Sequence, residues 1–128
     1  MSYKEATNDI FNALQEIKGV SFVRKAVGEP IEIKVNRTAY VVFDISNFEL
    51  PTQPGRVFVS VGIAIFISDK CDAYERDNEA LNLAIEIVNK FMDLGCLEIT
   101  DFSTQNLNEF KQSGSFFMIS GKFVIDLN

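Results

Sequence analysis

The sequence of 128 residues contains no histidine and no tryptophan, and it has only two cysteines and three prolines. Without histidine the chain lacks the commonest general base and the commonest zinc ligand, and a cysteine–histidine nucleophile pair cannot form. Two cysteines alone cannot complete a standard structural zinc site. No glycine-rich phosphate loop, GxSxG motif or EF-hand spacing occurs. We therefore expect no catalytic residue, no metal and no cofactor, and we expect that the protein is not an enzyme.

A cluster of acidic residues is the strongest remaining candidate for a cation site. The cluster contains Asp69, Asp72, Glu75, Asp77 and Glu79. Acidic side chains near the start of a helix commonly cap it and complement its dipole, and this is the favoured interpretation. An enzyme that uses aspartate or tyrosine is a third, weaker hypothesis, because no base lies near these residues in the sequence.

The charge balance argues against nucleic acid as a partner. The net charge is −6, and the twelve lysines and arginines are scattered along the chain. Binding to phosphates requires clustered basic side chains, so we expect no direct nucleic-acid recognition. The longest apolar run is short and alternating, which predicts no membrane span.

The two cysteines, Cys71 and Cys96, flank a predicted helix. A helix of that length would separate them by about 37 Å, far beyond the reach of a disulfide. Free thiols are typical of a reducing compartment. The N-terminus also lacks the pattern of a signal peptide, so we expect a cytosolic protein.

What the sequence does contain is a long strand followed directly by a long helix. Six consecutive odd positions are β-branched: Val57, Val59, Val61, Ile63, Ile65 and Ile67. This period of two places one aliphatic stripe on one face of a strand. From Ser68 to Leu94 the apolar residues change to a helical period, which predicts a helix that covers the sheet.

The remaining segments predict a single α+β domain over residues 1–128. A first helix is predicted over residues 4–18, with Gly19 at its C′ position. Further strands are predicted over residues 20–27, 31–35, 39–46, 97–104 and 116–127, and loops over residues 47–55 and 105–115. Strands and helices do not alternate regularly, so the sheet should be twisted and mainly antiparallel, with both helices packed on it.

The second helix carries more apolar residues than one buried face requires. One stripe contains Tyr74, Leu81, Ala84, Ile85, Val88 and Met92, and a second set broadens it: Leu83, Ile87, Phe91 and Leu94. A helix this apolar either lies deep in the protein or contacts a partner.

Apolar residues also occur within the predicted loops. Such side chains either return to the core, which is the favoured interpretation, or meet a partner. Taking these loops together with the second helix, the candidate residues of a subunit or partner interface are Phe48, Leu50, Leu83, Ile87, Leu107 and Phe110.

The order of the elements resembles that of the bacteriophage tail terminators, the lambda-type minor tail protein family and its prophage relatives. The likeness covers nearly the whole chain and consists of its layout and a few turn residues. It comprises a first helix ending in Lys18-Gly19-Val20, the turn Gly28-Glu29-Pro30 with strands 31–35 and 40–46, the long strand 57–67, the acidic helix start 69–79, and a polar loop with Gly114 before the strand 116–127.

This resemblance implies a structural role. Members of the family form homohexameric rings that cap the growing tail tube, end its polymerisation and join the head-side connector. The implied partners are therefore other copies of the chain, the tail tube protein and the head–tail connector protein. The implied location is the host cytoplasm during assembly and then the virion tail. A ring needs head-to-tail contacts that close after six copies.

A small domain that binds an apolar ligand is the alternative function. The ligand would lie on the concave face of the sheet, lined by Phe58, Phe66, Phe116 and Met118. No convergent polar group accompanies these residues, which counts mildly against this hypothesis.

Overall fold

The computed structural model describes residues 2–26, 38–48, 56–68, 73–104 and 114–126. Two helices and five strands lie within these ranges: α1 (Tyr3–Leu14), β1 (Ser21–Lys25), β2 (Thr38–Phe48), β3 (Arg56–Ser68), α2 (Ala73–Asp93), β4 (Glu98–Thr104) and β5 (Gly114–Asp126). The predicted α+β class is confirmed. The predicted strand 31–35, the remaining parts of the two predicted loops, and Cys71 lie outside the described residues.

The five strands form one sheet in the order β1-β2-β3-β5-β4. The pairs β2–β3, β3–β5 and β4–β5 are antiparallel, whereas β1 pairs with β2 in parallel. The long apolar strand is thus the central strand of the sheet. It pairs with β5 over its whole length, from Arg56 opposite Asp126 to Ser68 opposite Gly114.

The odd-numbered residues of β3 face the core, as their period of two predicts. Val59, Val61, Ile63 and Ile65 are fully buried. They form one hydrophobic cluster with the buried residues of both helices. Both helices therefore cover the same face of the sheet, which we call the near face.

The first helix has a regular N-terminus and an early end. The backbone N–H of Glu5 donates to Ser2 Oγ at 3.1 Å, which satisfies one free donor of the first turn. The helix ends at Leu14, four residues before its predicted end, because the amides of Glu16 and Ile17 donate to carbonyls three residues back, in a tighter turn. Gly19 has a φ of 85° and follows this turn instead of closing the helix directly.

The second helix ends in a Schellman motif. The Gly95 N–H donates to the Met92 carbonyl at 3.1 Å, and the Cys96 N–H donates to the Phe91 carbonyl at 3.0 Å. Gly95 has a φ of 87°, which only glycine adopts without strain. The helix thus ends at Asp93, within one residue of the predicted end at Leu94, and the motif places Cys96 beside Phe91.

Gly121 of β5 leaves room for the ring of Phe91. A Cβ atom at position 121 would lie 2.6 Å from Phe91 Cδ2 and 3.0 Å from Cys96 Sγ. The Phe91 ring also meets Phe123 edge to face, with centroids 5.3 Å apart. The absence of a side chain at one strand position thus fixes where α2 rests on the sheet.

Two loop predictions are wrong at their ends. Asn47 and Phe48 belong to β2, where they pair with Phe58 and Val57 after a register shift. Gly114 begins β5. Both strands extend further because β3 offers a pairing partner along its entire length.

Candidate interaction surfaces

The face of α2 that packs on the sheet is not the face that carries the most large apolar residues. Its buried residues include two alanines and are Ala80, Leu83, Ala84, Ile87 and Phe91. Alanines let a helix backbone approach a sheet closely, and the larger residues beside them fill the remaining space. Leu83 and Ile87, two of the predicted interface residues, are 9% and 0% exposed and belong to the chain's own core. In this fold they are not available to a partner.

The large apolar residues of α2 that remain exposed form a second stripe. Tyr74 is 85% exposed, Leu81 41%, Ile85 46% and Met92 53%. We call these four residues the outer stripe. The first stripe of the sequence pattern already contained them, so the signal was present. Periodicity alone could not tell which of two adjoining stripes faces the sheet.

The angle between the two stripes can be read from the helix geometry. With about 100° per residue, the mean direction of the outer stripe lies about 120° from that of the five buried residues. The outer stripe therefore points neither into the core nor straight away from the sheet. It faces outward and to one side.

Of the other four predicted interface residues, the structure describes only the backbone of Phe48. Phe48 is the last residue of β2, opposite Val57, and its side chain lies outside the described part of the structure. Leu50, Leu107 and Phe110 lie wholly outside it. Their assignment to an interface stays a prediction.

The second face of the sheet, which we call the far face, is lined by the even-numbered residues of β3 and β5 and by those of β2 up to Asp44, before its register shift. Both helices lie on the near face. On the far face Tyr40 and Ala64 are buried, whereas Val42, Phe58 and Val124 are half-buried and retain contact with solvent.

Two lysines lie on aromatic rings of the far face. The Lys122 ammonium is 4.2 Å from the centroid of Phe58, and the Lys25 ammonium is 6.0 Å from that of Tyr40. Such contacts hold a positive charge against an apolar surface. The far face therefore combines half-buried apolar residues with charges of both signs, because four carboxylates lie on it too: Asp44, Glu98, Asp101 and Asp126.

Phe58 and Met118, two of the residues predicted to line a ligand site, do lie on the same far face. Both are half-buried. The side chains of Phe66 and Phe116, which would complete that site, lie outside the described part of the structure. The predicted ligand site on this face is therefore only partly described.

A groove of about 430 Å³ lies beside the hydrophobic core. It runs between α1, the end of α2 and the last residues of β5. Its lining is mainly apolar, with two carboxylates, and consists of Ala6, Asp9, Ile10, Leu94, Phe123, Val124, Ile125 and Asp126. Its size and lining are those of a small-molecule site.

Burial raises the pKa of the Cys96 thiol above its usual range. This cysteine is free and buried, and its Sγ donates to the Glu98 carbonyl at 3.1 Å. Burial also raises the pKa of Tyr3, partly offset by the positive charge of Arg24. A thiol held protonated is a poor nucleophile, so Cys96 acts as a small core residue.

The described residues contain neither a metal-binding cluster nor a membrane-crossing helix. No three histidine, cysteine, aspartate or glutamate side chains among these residues lie close enough together to bind a metal ion. Neither α1 nor α2 has the length and apolar content that a membrane-crossing helix needs.

No protein-family model matches the chain, and no curated protein is significantly similar in sequence.

Proposed function

We propose that this protein is a structural subunit that assembles into a closed homohexameric ring. In this proposal the ring acts like a phage or prophage tail terminator: it caps the tail tube, ends polymerisation of the tube and joins it to the head connector. The layout of helices and strands suggests this role through its resemblance to that family. The chain would act by binding other proteins and not by catalysis.

The observation that carries the proposal is the outer stripe of α2. Four large apolar side chains on one helix face remain between 41% and 85% exposed in the isolated chain. Single exposed apolar residues are common on protein surfaces, whereas an aligned row on one element is typical of a contact surface. A subunit that functions only in an assembly needs such a surface.

The mass in solution tests this proposal directly. Six copies of a 14.4 kDa chain would weigh about 86 kDa, far from the mass of one or two copies. Light scattering across a concentration series should show this species at high protein concentration, because association follows mass action. A chain that remains monomeric at millimolar concentration would contradict autonomous ring assembly.

Binding of a small apolar ligand is the second candidate function, favoured by the groove beside α1 and β5. Its apolar lining includes Ile10, Leu94 and Phe123. An environment-sensitive dye such as 1-anilinonaphthalene-8-sulfonate should bind there with one-to-one stoichiometry if the groove is a ligand site. The substitution Asp9→Trp, which narrows the groove from an exposed position of its lining, should then abolish dye binding, whereas Asn82→Trp on the exposed side of α2 should not.

A further inference from the structure

The end of β5 extends beyond the strand that pairs with its outer edge. β4 pairs with β5 no further than Glu98 opposite Lys122, whereas β5 continues to Asp126. On the other side of Glu98 the chain turns away from β5 at Cys96, within the Schellman motif that ends α2. Among the described residues, no strand therefore pairs with β5 beyond Lys122 on this side.

The backbone groups of Val124 point to this open side. The Lys122 carbonyl accepts a hydrogen bond from the N–H of Leu97 at 2.8 Å, so Lys122 directs its backbone groups towards β4. Every second residue of a strand directs its N–H and C=O to the same side, and Val124 does so beyond the end of β4. Phe123 and Ile125 direct theirs to β3, with which they pair. In the described part of the chain, Val124 thus forms an open edge of the sheet.

The groove beside α1 runs along this open edge. Four consecutive residues of β5, residues 123–126, border it. Their side chains alternate between the two faces of the sheet. A groove that meets residues of both faces lies at the edge of the strand, where its backbone is within reach. Ile10 of α1 and Leu94 at the end of α2 contribute further apolar lining.

We infer that this groove binds an extended peptide segment of another protein, which adds to the open edge of β5 as a further strand. The peptide backbone exchanges hydrogen bonds with Val124, and its apolar side chains lie in the groove beside Ile10 and Leu94. Addition of a strand to an exposed edge is a common mode of peptide recognition. A small apolar molecule would leave these backbone groups unused, so the open edge favours a peptide. This activity goes beyond the proposed ring and does not depend on it.

Charge indicates that the peptide carries a basic side chain. Asp9 of α1 is exposed and borders the groove, whose eight lining residues include no lysine or arginine. Asp126 also borders it, but Arg56 lies opposite Asp126 in the β3–β5 pair and places a positive charge beside it. Asp9 is therefore the carboxylate that a lysine or arginine of the peptide meets. Because this chain has a net charge of −6, a basic segment of another protein suits the groove better than a second copy.

The first experiment identifies a peptide probe. Selection of a randomised octapeptide library by mRNA display on the folded protein should enrich sequences in which apolar residues alternate and at least one residue is lysine or arginine. An enriched peptide, synthesised with a fluorescent label, then serves as the probe in anisotropy titrations. A selection that yields no binder above background would overturn the inference. Enriched sequences that match a stretch of this chain would assign the groove to a second copy and overturn the choice of partner.

One substitution blocks the edge without removing a bond of the sheet. Val124→Pro deletes an N–H that points away from β3 and places the proline ring on the open side. It should weaken binding of the probe at least about tenfold, because strand addition requires this edge. Thr100→Pro is the matched control, at the bulge of the edge strand β4 and outside the groove lining, and it should leave binding unchanged. Far-UV circular dichroism should show that both variants are folded.

A second pair of variants tests the charge. Asp9→Asn should weaken binding of the probe about twofold to fivefold, the effect of one exposed ion pair. It should not weaken binding of a probe whose basic residue is replaced by glutamine. Glu86→Gln removes an exposed carboxylate of α2 that does not border the groove, and it should have no effect. Equal weakening by the two variants would overturn the assignment of the basic residue to Asp9.

Hydrogen exchange observed by NMR tests the edge without any substitution. In the free protein the amide of Val124 should exchange much faster than that of Ile125, which pairs with β3. A saturating concentration of the probe should slow exchange at Val124 at least about tenfold and leave Ile125 unchanged. Equal protection of both amides in the free protein would show that the edge is closed and would overturn the inference.

The outcomes also separate this inference from the proposed functions. A chain that stays monomeric and binds the probe would contradict the ring and support the peptide groove, because one copy contains the whole groove. Rings that bind no peptide would do the reverse. Binding of 1-anilinonaphthalene-8-sulfonate without binding of any peptide would assign the groove to small apolar ligands and overturn the peptide inference.

Discussion

The two helices cover the same face of one sheet, yet their outer surfaces differ. The exposed positions of α1 are polar, and its two large aromatic residues, Tyr3 and Phe11, pack against the core. α2 buries one face and still exposes the apolar outer stripe. α1 packs one face on the sheet and exposes only polar residues, whereas α2 packs one apolar face on the sheet and exposes a second one, the outer stripe. In the proposed function, the excess apolar residues of α2 form the contact surface for a partner.

The largest effect on stability is expected for Phe91, where α2 packs on the sheet. Met92, the next residue, provides the comparison. Phe91→Ala should reduce the free energy of unfolding by about 3–5 kcal/mol, because it removes a fully buried ring from between Gly121 and Phe123. Met92→Ala, one residue further on, should change the stability of the monomer by less than about 0.5 kcal/mol, because Met92 is 53% exposed. Urea denaturation of dilute protein measures both values. Similar losses for the two variants would contradict the division of α2 into two surfaces.

A smaller loss is expected when the space for the Phe91 ring is filled. Gly121→Ala should destabilise the fold by about 1–3 kcal/mol, because its Cβ would lie 2.6 Å from Phe91 Cδ2. Combining Gly121→Ala with Phe91→Leu should be less harmful than the sum of the two single changes, since each change affects the same contact. Strict additivity in thermal unfolding would show that the two positions are independent. Gly62→Ala is the matched control, as its Cβ would meet no atom closer than 3.8 Å.

Unlike the outer stripe of α2, the side of α1 that faces β1 is bound to its own chain through Arg24. Arg24 of β1 donates from Nη2 to Thr7 Oγ1 at 2.5 Å and from Nη1 to Asn8 Oδ1, and its guanidinium lies 4.9 Å from the centroid of Phe43. Arg24→Ala should cost about 1 kcal/mol of stability, a modest value because the side chain is exposed. Arg24→Lys should recover less than half of this loss, since lysine cannot make the two-pronged contact. Neither variant should alter ring formation, because Arg24 does not belong to the outer stripe.

The smallest effect concerns the thiol that follows α2. Because burial raises the pKa of Cys96 in the folded state, the folded chain retains a proton that the unfolded chain releases. Stability should therefore fall as the pH rises above about 9, the ordinary thiol value. Replacing Cys96 by alanine, in a background with Cys71→Ser, should flatten this decline. Chemical denaturation between pH 8 and pH 10 measures it. Tyr3, whose ordinary pKa is 10.0 and whose pKa burial raises in the folded state, adds a decline of the same sign near pH 10 in both proteins, so the difference between them isolates Cys96. An unchanged slope in the alanine variant would assign the pH dependence to other groups.

Much of the fold follows from simple periodicity. The alternation in β3 predicted a long strand with one buried face. The structure agrees, since β2 and β5 both pair along β3. The alternation in β5 likewise predicted its pairing with β3. The parallel pairing of β1 with β2 was not predicted, because strand direction depends on how the connecting segment crosses the sheet. The sequence of the five residues of β1 contains no pattern that indicates this direction.

The candidate surface could be predicted only in part. The apolar residues of α2 outnumber those that one face can bury, and the sequence shows this excess. Which residues turn inward is decided by Ala80, Ala84 and Gly121, whose small size allows close packing between α2 and β5. Hydrophobicity alone gives alanine little weight, so Leu83 and Ile87 were assigned to the interface although they belong to the core.

The pairing of β3 with β5 also has a consequence for synthesis on the ribosome. The hairpin of β2 and β3 can form as soon as both strands have left the exit tunnel, but the opposite edge of β3 pairs with a strand that is synthesised 46 residues or more later, since Ser68 pairs with Gly114. Until β5 emerges, the nascent chain carries an aliphatic strand with one free edge, a form prone to association with neighbouring chains. Prolonged pausing of translation between α2 and β5 should therefore increase aggregation, and chaperones that hold nascent chains should act mainly in this interval.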